Sequence, residues 1–248
     1  MSQNQMPDDP LQELLDRRRI WAEKPQLRLC YERWAAMMRP YLAPGGLLEV
    51  GSGSGLSKEL FPEVLLCDIV RAPWLDFRAD CMRLPVGDSS IENVIAFDLL
   101  HHAADPHSFL TEAARVLKPG GRILLMEPYI TPVSYVGYKA LHHEDVYFGG
   151  YHKIPEGGAK VDPWQGNLAV ANVVFNRMAA EWETRQPDLR IVRRDLLSFF
   201  DFQMAAGFKP RAYVPMGIYR LLVKLDDVLG LLMPLLAFRI FLVLEKKS

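Results

Sequence analysis

The sequence predicts an α/β fold in which helices flank a doubly wound, mostly parallel sheet. Three observations point to it. Short apolar runs of strand length recur from Leu47 onward, helical stretches separate them, and the first run ends in the turn Gly51-Ser52-Gly53-Ser54-Gly55. Of the 248 residues half are hydrophobic and 24% are charged, which is enough apolar material for one large domain carrying an insertion.

Asp9-Pro10-Leu11-Gln12 reads as a helix start, with Asp9 capping the free N–H groups and Pro10 in the first helical position. A second helix is expected over Gln26 to Tyr41, and residues 1–44 together read as an N-terminal helical lid segment. The main domain, 45–248, begins with strands at Leu47–Val50, Val64–Asp68, Val94–Asp98 and Ile123–Met126. A helix starting at Asp105-Pro106 carries Phe109, Leu110, Ala113, Val116 and Leu117, and Lys118-Pro119-Gly120-Gly121 ends it in a turn. Strands alternating with helices imply right-handed βαβ units.

Residues from about 129 to 194 break this rhythm and read as an insertion after the strand that ends at Glu127, with a helix from about Gly166 to Glu183. Leu196–Ala206 then reads as a helix closed by Gly207, followed by final strands at Lys209–Val214 and Arg239–Leu244.

Composition narrows the function classes. Lys and Arg total 29 against 30 Asp and Glu, so no basic field gathers nucleic acid, and no nucleic-acid partner is expected. Cys30, Cys67 and Cys81 form no C-x-x-C pair, so neither a zinc site nor a disulfide framework is suggested, and no metal is expected. The polar, acidic N-terminus lacks the layout of a secretory signal, which favours a cytoplasmic protein, monomeric or homodimeric. Val228–Leu244 is apolar but broken by Pro234 and Arg239, too interrupted for a membrane span. It reads as a short apolar helix, a proline break and a buried final strand. Peripheral membrane contact through Leu221–Leu236 is the sharper alternative.

The glycine turn carries the chemistry. In a doubly wound sheet, ligands settle at the carboxyl ends of the strands, where the strand order reverses. A dinucleotide-binding G-x-G-x-x-G would need glycine at Leu56 or at Lys58, so both registers fail. What stands here is E-x-G-x-G-x-G from Glu49 to Gly55. It resembles motif I of the class I S-adenosylmethionine-dependent methyltransferases, and the resemblance extends over residues 45 to 128. Leu65-Leu66-Cys67-Asp68 resembles the family's second strand, which implies that Asp68 takes both ribose hydroxyls and Ile69 packs on adenine. Ala79-Asp80-Cys81-Met82-Arg83-Leu84-Pro85 matches the segment that contacts the adenine amino group, which implies Asp80 and Cys81. The stretch from Asn93 to His102 resembles the fourth strand and its loop, which places Phe97 and His101 beside the methionine part of the cofactor. Val116 to Gly121 resembles the turn before strand five.

The implied fold is a Rossmann-like sheet of the seven-stranded methyltransferase type. The implied cofactor is S-adenosyl-L-methionine, held by Glu49, Gly51, Ser52, Gly53, Gly55, Asp68, Ile69, Asp80, Cys81, Phe97 and His101. Glu49 suits the cofactor's ammonium group, and a carboxylate at Asp68 can accept two hydrogen bonds from a diol. The acceptor is expected to be a small molecule, a sugar or a lipid-like compound, methylated on oxygen. Its general base would be a histidine, with His102 and His143 as candidates. His142-His143, backed by Glu144 and Asp145, reads as base, weak metal site or solvated loop. Tyr129, Tyr135, Tyr138, Tyr147, Phe148 and Tyr151 form either an acceptor wall or the packing of the insertion. An NAD-dependent oxidoreductase and a non-catalytic binding relative are the rival classes.

Overall fold

A computed structural model describes residues 9–142, 144–153, 160, 162 and 164–248. Among these residues seven strands form one sheet: β1 (Leu47–Val50), β2 (Leu65–Asp68), β3 (Phe77–Arg78), β4 (Ile91–Phe97), β5 (Leu117–Pro128), β6 (Leu189–Leu197) and β7 (Arg239–Lys246). Their order is β3-β2-β1-β4-β5-β7-β6, and β7 runs antiparallel to both its neighbours. The fold is therefore the doubly wound, mostly parallel sheet that the apolar runs predict. The order reverses between β1 and β4, so a crevice opens at their carboxyl ends.

Strand residues alternate between two cores because successive side chains leave opposite faces of a sheet. Leu48, Val50, Val94, Ala96, Ile123 and Leu125 pack on one side against α3 (Pro106–Val116). Leu47, Ile95, Phe97, Leu124 and Met126 pack on the other against α2 (Pro25–Met38). Glu49 shares the α2 side, which is how a carboxylate comes to be buried at the base of the crevice. Helix α1 (Pro10–Glu23) begins as expected, with the Asp9 side chain accepting from the N–H groups of Leu11 and Gln12.

The insertion contributes α4 (Pro132–Leu141), a short α5 (Val170–Asn172), a π-helical turn over Val173–Arg177, and α6 (Ala179–Arg185). After β6 come α7 (Asp201–Ala205), α8 (Met216–Val228) and α9 (Met233–Leu236). The apolar C-terminal segment forms the end of α8, a 3-10 turn over Gly230–Leu232, α9 with Pro234 in its first turn, and the buried strand β7, so the proline starts a helix and does not break one. No described helix is long and apolar enough to cross a membrane.

Five local expectations differ from the structure, the first being the turn over Lys118–Gly121, which lies within β5 where the pairing shifts between Ile91–Leu117 and Asn93–Arg122. Lys209–Val214 is a loop, not a strand: Pro210 has no N–H for a ladder, and β6 already occupies the position beside β7. Residues 189–194, read as the end of the insertion, instead begin β6, whose alternation is hidden by Arg190, Arg193 and Arg194 on an edge strand. The helix expected from Leu196 starts only at Asp201, since Leu196 and Leu197 pair with Ile240 and Arg239. The helix expected from Gly166 starts at Val170, because Asn167 spends its carboxamide on the backbone of Tyr147 and Tyr151. Between β1 and β2 the connection holds only a 3-10 turn, Leu56–Glu59.

Candidate functional site

The turn after β1 is built from left-handed backbone. Gly51, Gly53 and Gly55 have φ of 71°, 48° and 64°. A Cβ at Gly51 would sit 2.6 Å from Leu99 Cδ1, and one at Gly55 would sit 2.5 Å from Trp74 Cδ1. Both positions therefore demand glycine twice over, by conformation and by space. The Ser52 N–H donates to the Cys67 carbonyl at 3.0 Å, and the Ser52 hydroxyl donates to the Glu49 carbonyl at 2.9 Å.

Two carboxylates stand behind the turn. Asp68, ending β2, accepts from the N–H of Gly53 on Oδ2 and from the N–H of Val70 on Oδ1, both at 2.8 Å. Burial raises its pKa, and those backbone donors oppose the rise. A carboxylate has about four lone-pair sites, so Asp68 keeps acceptor capacity toward the crevice. Glu49 is 4% exposed and accepts a hydrogen bond from the Ser57 hydroxyl. Burial is the main cause that pushes its carboxyl up to about 8, with the charge of Asp68 adding to it. A buried acid held near neutrality is poised to ionise when a cation arrives.

A cavity of about 1010 Å³ runs from this turn past Asp68, Ile69, Asp80 and Cys81 to Phe97, His101 and His102. Asp80 accepts from the Met82 N–H at 2.9 Å, which fixes its turn, and burial pushes the Cys81 thiol up to about 12. Every described residue expected at the site lines this one cavity, Gly55 excepted, which supports the turn from behind. His143 lies outside the described residues.

Beyond β4 the chain builds a second polar centre. Glu127, at the end of β5 and fully buried, accepts from the N–H groups of Leu99 and Leu100 at 2.8 and 2.7 Å. Its other oxygen lies 2.7 Å from His101 Nδ1. Glu144 lies on the far side, 3.5 Å from His101 Nε2 and 3.6 Å from His102 Nε2. Burial disfavours a charged His101, yet Glu127 and Glu144 outweigh it and raise the ring to about 10. His102 answers in the opposite direction. Burial first, then the charge of His101, brings it down to about 3, while Glu144 pulls the other way. The adjacent rings, 4.1 Å apart, are thus a charged imidazolium and a neutral imidazole.

Several lining groups were not marked by the sequence. Arg239, from β7, is buried against Asp98 and lies 4.9 Å from the Trp34 ring and 4.1 Å from the Phe202 ring. Asp98 holds a left-handed φ of 54°, which turns the chain out of β4 toward the histidines. From α1, Leu14 and Arg17 reach the cavity, and Arg18 donates to the Ser54 carbonyl at 2.7 Å. The Arg17 guanidinium lies 5.2 Å from Trp164 and 5.4 Å from Phe208, joining α1 to the insertion across the crevice. Of the six insertion aromatics expected, Tyr138 lines the cavity. Tyr129 and Tyr151 fasten the insertion through Asn176 and Glu181, and Tyr135 is exposed.

A family model described as a methyltransferase domain matches residues 48–125, from β1 through most of β5. Residues 48–125 are thus similar to a methyltransferase domain. The matched span holds the glycine turn, Asp68, Asp80 and both histidines, and it leaves α1, α2 and the insertion outside. Over 96 residues the chain is 31% identical to a probable S-adenosylmethionine-dependent methyltransferase of Mycolicibacterium smegmatis, covering 33% of this chain and 37% of that one. A 27-O-demethylrifamycin SV methyltransferase of Amycolatopsis mediterranei is 44% identical over 54 residues, 22% of this chain and 20% of its own. A demethylmenaquinone methyltransferase of Streptomyces griseus is 33% identical over 95 residues, 33% and 41% of the two chains. Each match therefore spans less than half of the relative's length.

Proposed function

We propose that this chain is an S-adenosylmethionine-dependent methyltransferase acting on the hydroxyl of a small molecule, a sugar or a lipid-like acceptor. The single observation that carries this is the continuity of one cavity. It joins the glycine turn, Asp68 and Asp80 at one end to a neutral histidine at the other. The residues present fit the cofactor. Bare glycine backbone gives a ligand room to lie against the main chain, Asp68 has free acceptor capacity for a diol, and Glu49 suits an ammonium group. When bound, S-adenosylmethionine supplies an electrophilic methyl carbon on a sulfonium that departs as a neutral thioether.

The protein's share is alignment and proton handling. His102 takes the acceptor's hydroxyl proton, and Glu144 stabilises the imidazolium that forms. His101, held between Glu127 and Glu144, fixes the loop that carries His102. Tyr138, Trp164, Phe202, Phe208 and Phe238 give the acceptor end of the cavity an aromatic lining that suits a ring or an apolar body. Helix α1 acts as a lid: it reaches over the glycine turn through Arg18 and over the acceptor end through Arg17.

Cofactor carrying a radiolabelled methyl group, incubated with the protein and with small-molecule and lipid fractions of a cell extract, tests this reading. Label is expected in one fraction as a base-stable methyl ether. Label in an amine product instead would overturn oxygen as the target.

A further inference from the structure

Helix α8 is apolar on two faces. Tyr219 and Val223 turn inward. Ile218, Leu221, Leu225 and Val228 follow a helical repeat on the opposite side, where each is exposed, Val228 by 77%. A surface helix ordinarily turns a polar face outward. The apolar surface continues through Leu231, 98% exposed, and Leu232, and on to Leu235 of α9. Helix α9 packs on α4, whose outer side exposes Val133, Tyr135 and Val136. Exposed apolar residues gathered on neighbouring elements in this way mark a binding face.

Charge says what covers it. Arg220 and Lys224 on α8 and Lys139 on α4 are exposed beside the apolar residues, and none of the three forms an ion pair with a described residue. The acids of α8 are turned away. Asp226 is buried, accepting from the N–H groups of Phe200 and Asp201, and Asp227 is paired with Arg33 at 2.6 Å. An apolar face edged by unpaired cations matches an anionic lipid interface. A second copy of the chain matches it less well, because a two-fold contact would set the same cations against one another.

We infer that the face formed by α4, α8 and α9 seats the protein on the surface of an anionic bilayer. The inner side of α4, at Gly137 and Tyr138, lines the cavity, so one helix is a wall of both the seat and the site. The seat extends the proposed function, bringing the cavity to lipid-soluble acceptors, but vesicle binding is read without cofactor or turnover. Its failure therefore leaves methyl transfer standing, and the reverse holds too.

Co-sedimentation of the full chain with vesicles tests it. Binding is expected to vesicles of phosphatidylcholine mixed with phosphatidylglycerol, and not to phosphatidylcholine alone. Leu231→Glu with Leu235→Glu, both at exposed positions, is expected to weaken binding at least tenfold while the circular dichroism spectrum stays unchanged. Arg220→Ala and Lys224→Ala are each expected to weaken it about fivefold. Absence of binding to the anionic vesicles, or binding untouched by the double glutamate variant, would overturn the inference. So would a stable dimer in light scattering that the same variant dissolves, since that makes a second copy the occupant.

Discussion

Asp68→Ala is expected to reduce affinity for S-adenosylhomocysteine at least about a hundredfold, because hydrogen bonds to a charged group contribute about 1.5–3 kcal/mol each and a ribose diol makes two. Asp68→Asn keeps one acceptor oxygen and should lose about half of that free energy. The side chain also accepts from the N–H groups of Gly53 and Val70, so alanine leaves both of these donors without that partner and asparagine leaves one. A lower melting temperature is expected alongside the affinity loss. Calorimetric titration below the melting transition separates the two effects. Wild-type affinity in the alanine variant would remove Asp68 from the site.

His102→Ala is expected to lower kcat by about 10²- to 10⁴-fold, the usual worth of a positioned base, while leaving S-adenosylhomocysteine affinity within a few-fold. The pH dependence carries more information than the loss itself. Burial and the charge on His101 hold the His102 ring down to about 3, so it stays unprotonated across the working range. A base becomes inactive only as pH falls through its pKa, so the acid limb of the kcat profile, read at saturating cofactor where Glu49 is already ionised, should lie well below the ordinary imidazole value. Replacing His101 with glutamine removes the neighbouring charge and should move that limb upward. A wild-type limb near 6.5, or activity insensitive to His102→Ala, would contradict this role.

Much of the site was legible because strand ends in a doubly wound sheet converge on one crevice. Glu49, Asp68 and His101 each lie at or just beyond a recognisable apolar run, so their meeting follows from the strand pattern. Asp80, between the runs, was marked by the matching segment instead. Glu144 and Arg239 were not legible as partners. Their contacts to His101 and Asp98 cross 43 and 141 residues, respectively, and no local periodicity records such distances. Glu127 was seen as a strand end, but its bonds to the loop at Leu99 and Leu100 depend on β4 and β5 being in register. The misread elements share a cause. Edge strand β6 carries three arginines and no inward-facing run, so its pairing with β7 is what makes it a strand. The outward apolar side of α8 was equally hard to place, since a leucine-rich helix reads the same whether its surplus face is buried or exposed.

The most direct test of the central claim is titration of the wild-type chain with S-adenosylhomocysteine by calorimetry at pH 7, repeated in buffers of different ionisation enthalpy. Burial holds the free Glu49 carboxyl up to about 8, so the group is mostly protonated at that pH. A ligand ammonium beside it favours the carboxylate, which lowers this pKa and makes binding tighten as pH rises toward 8. The account predicts one ligand bound per chain, with release of close to one proton that Glu49→Gln abolishes. No heat in any buffer, or binding with the same proton release in Glu49→Gln, would contradict it.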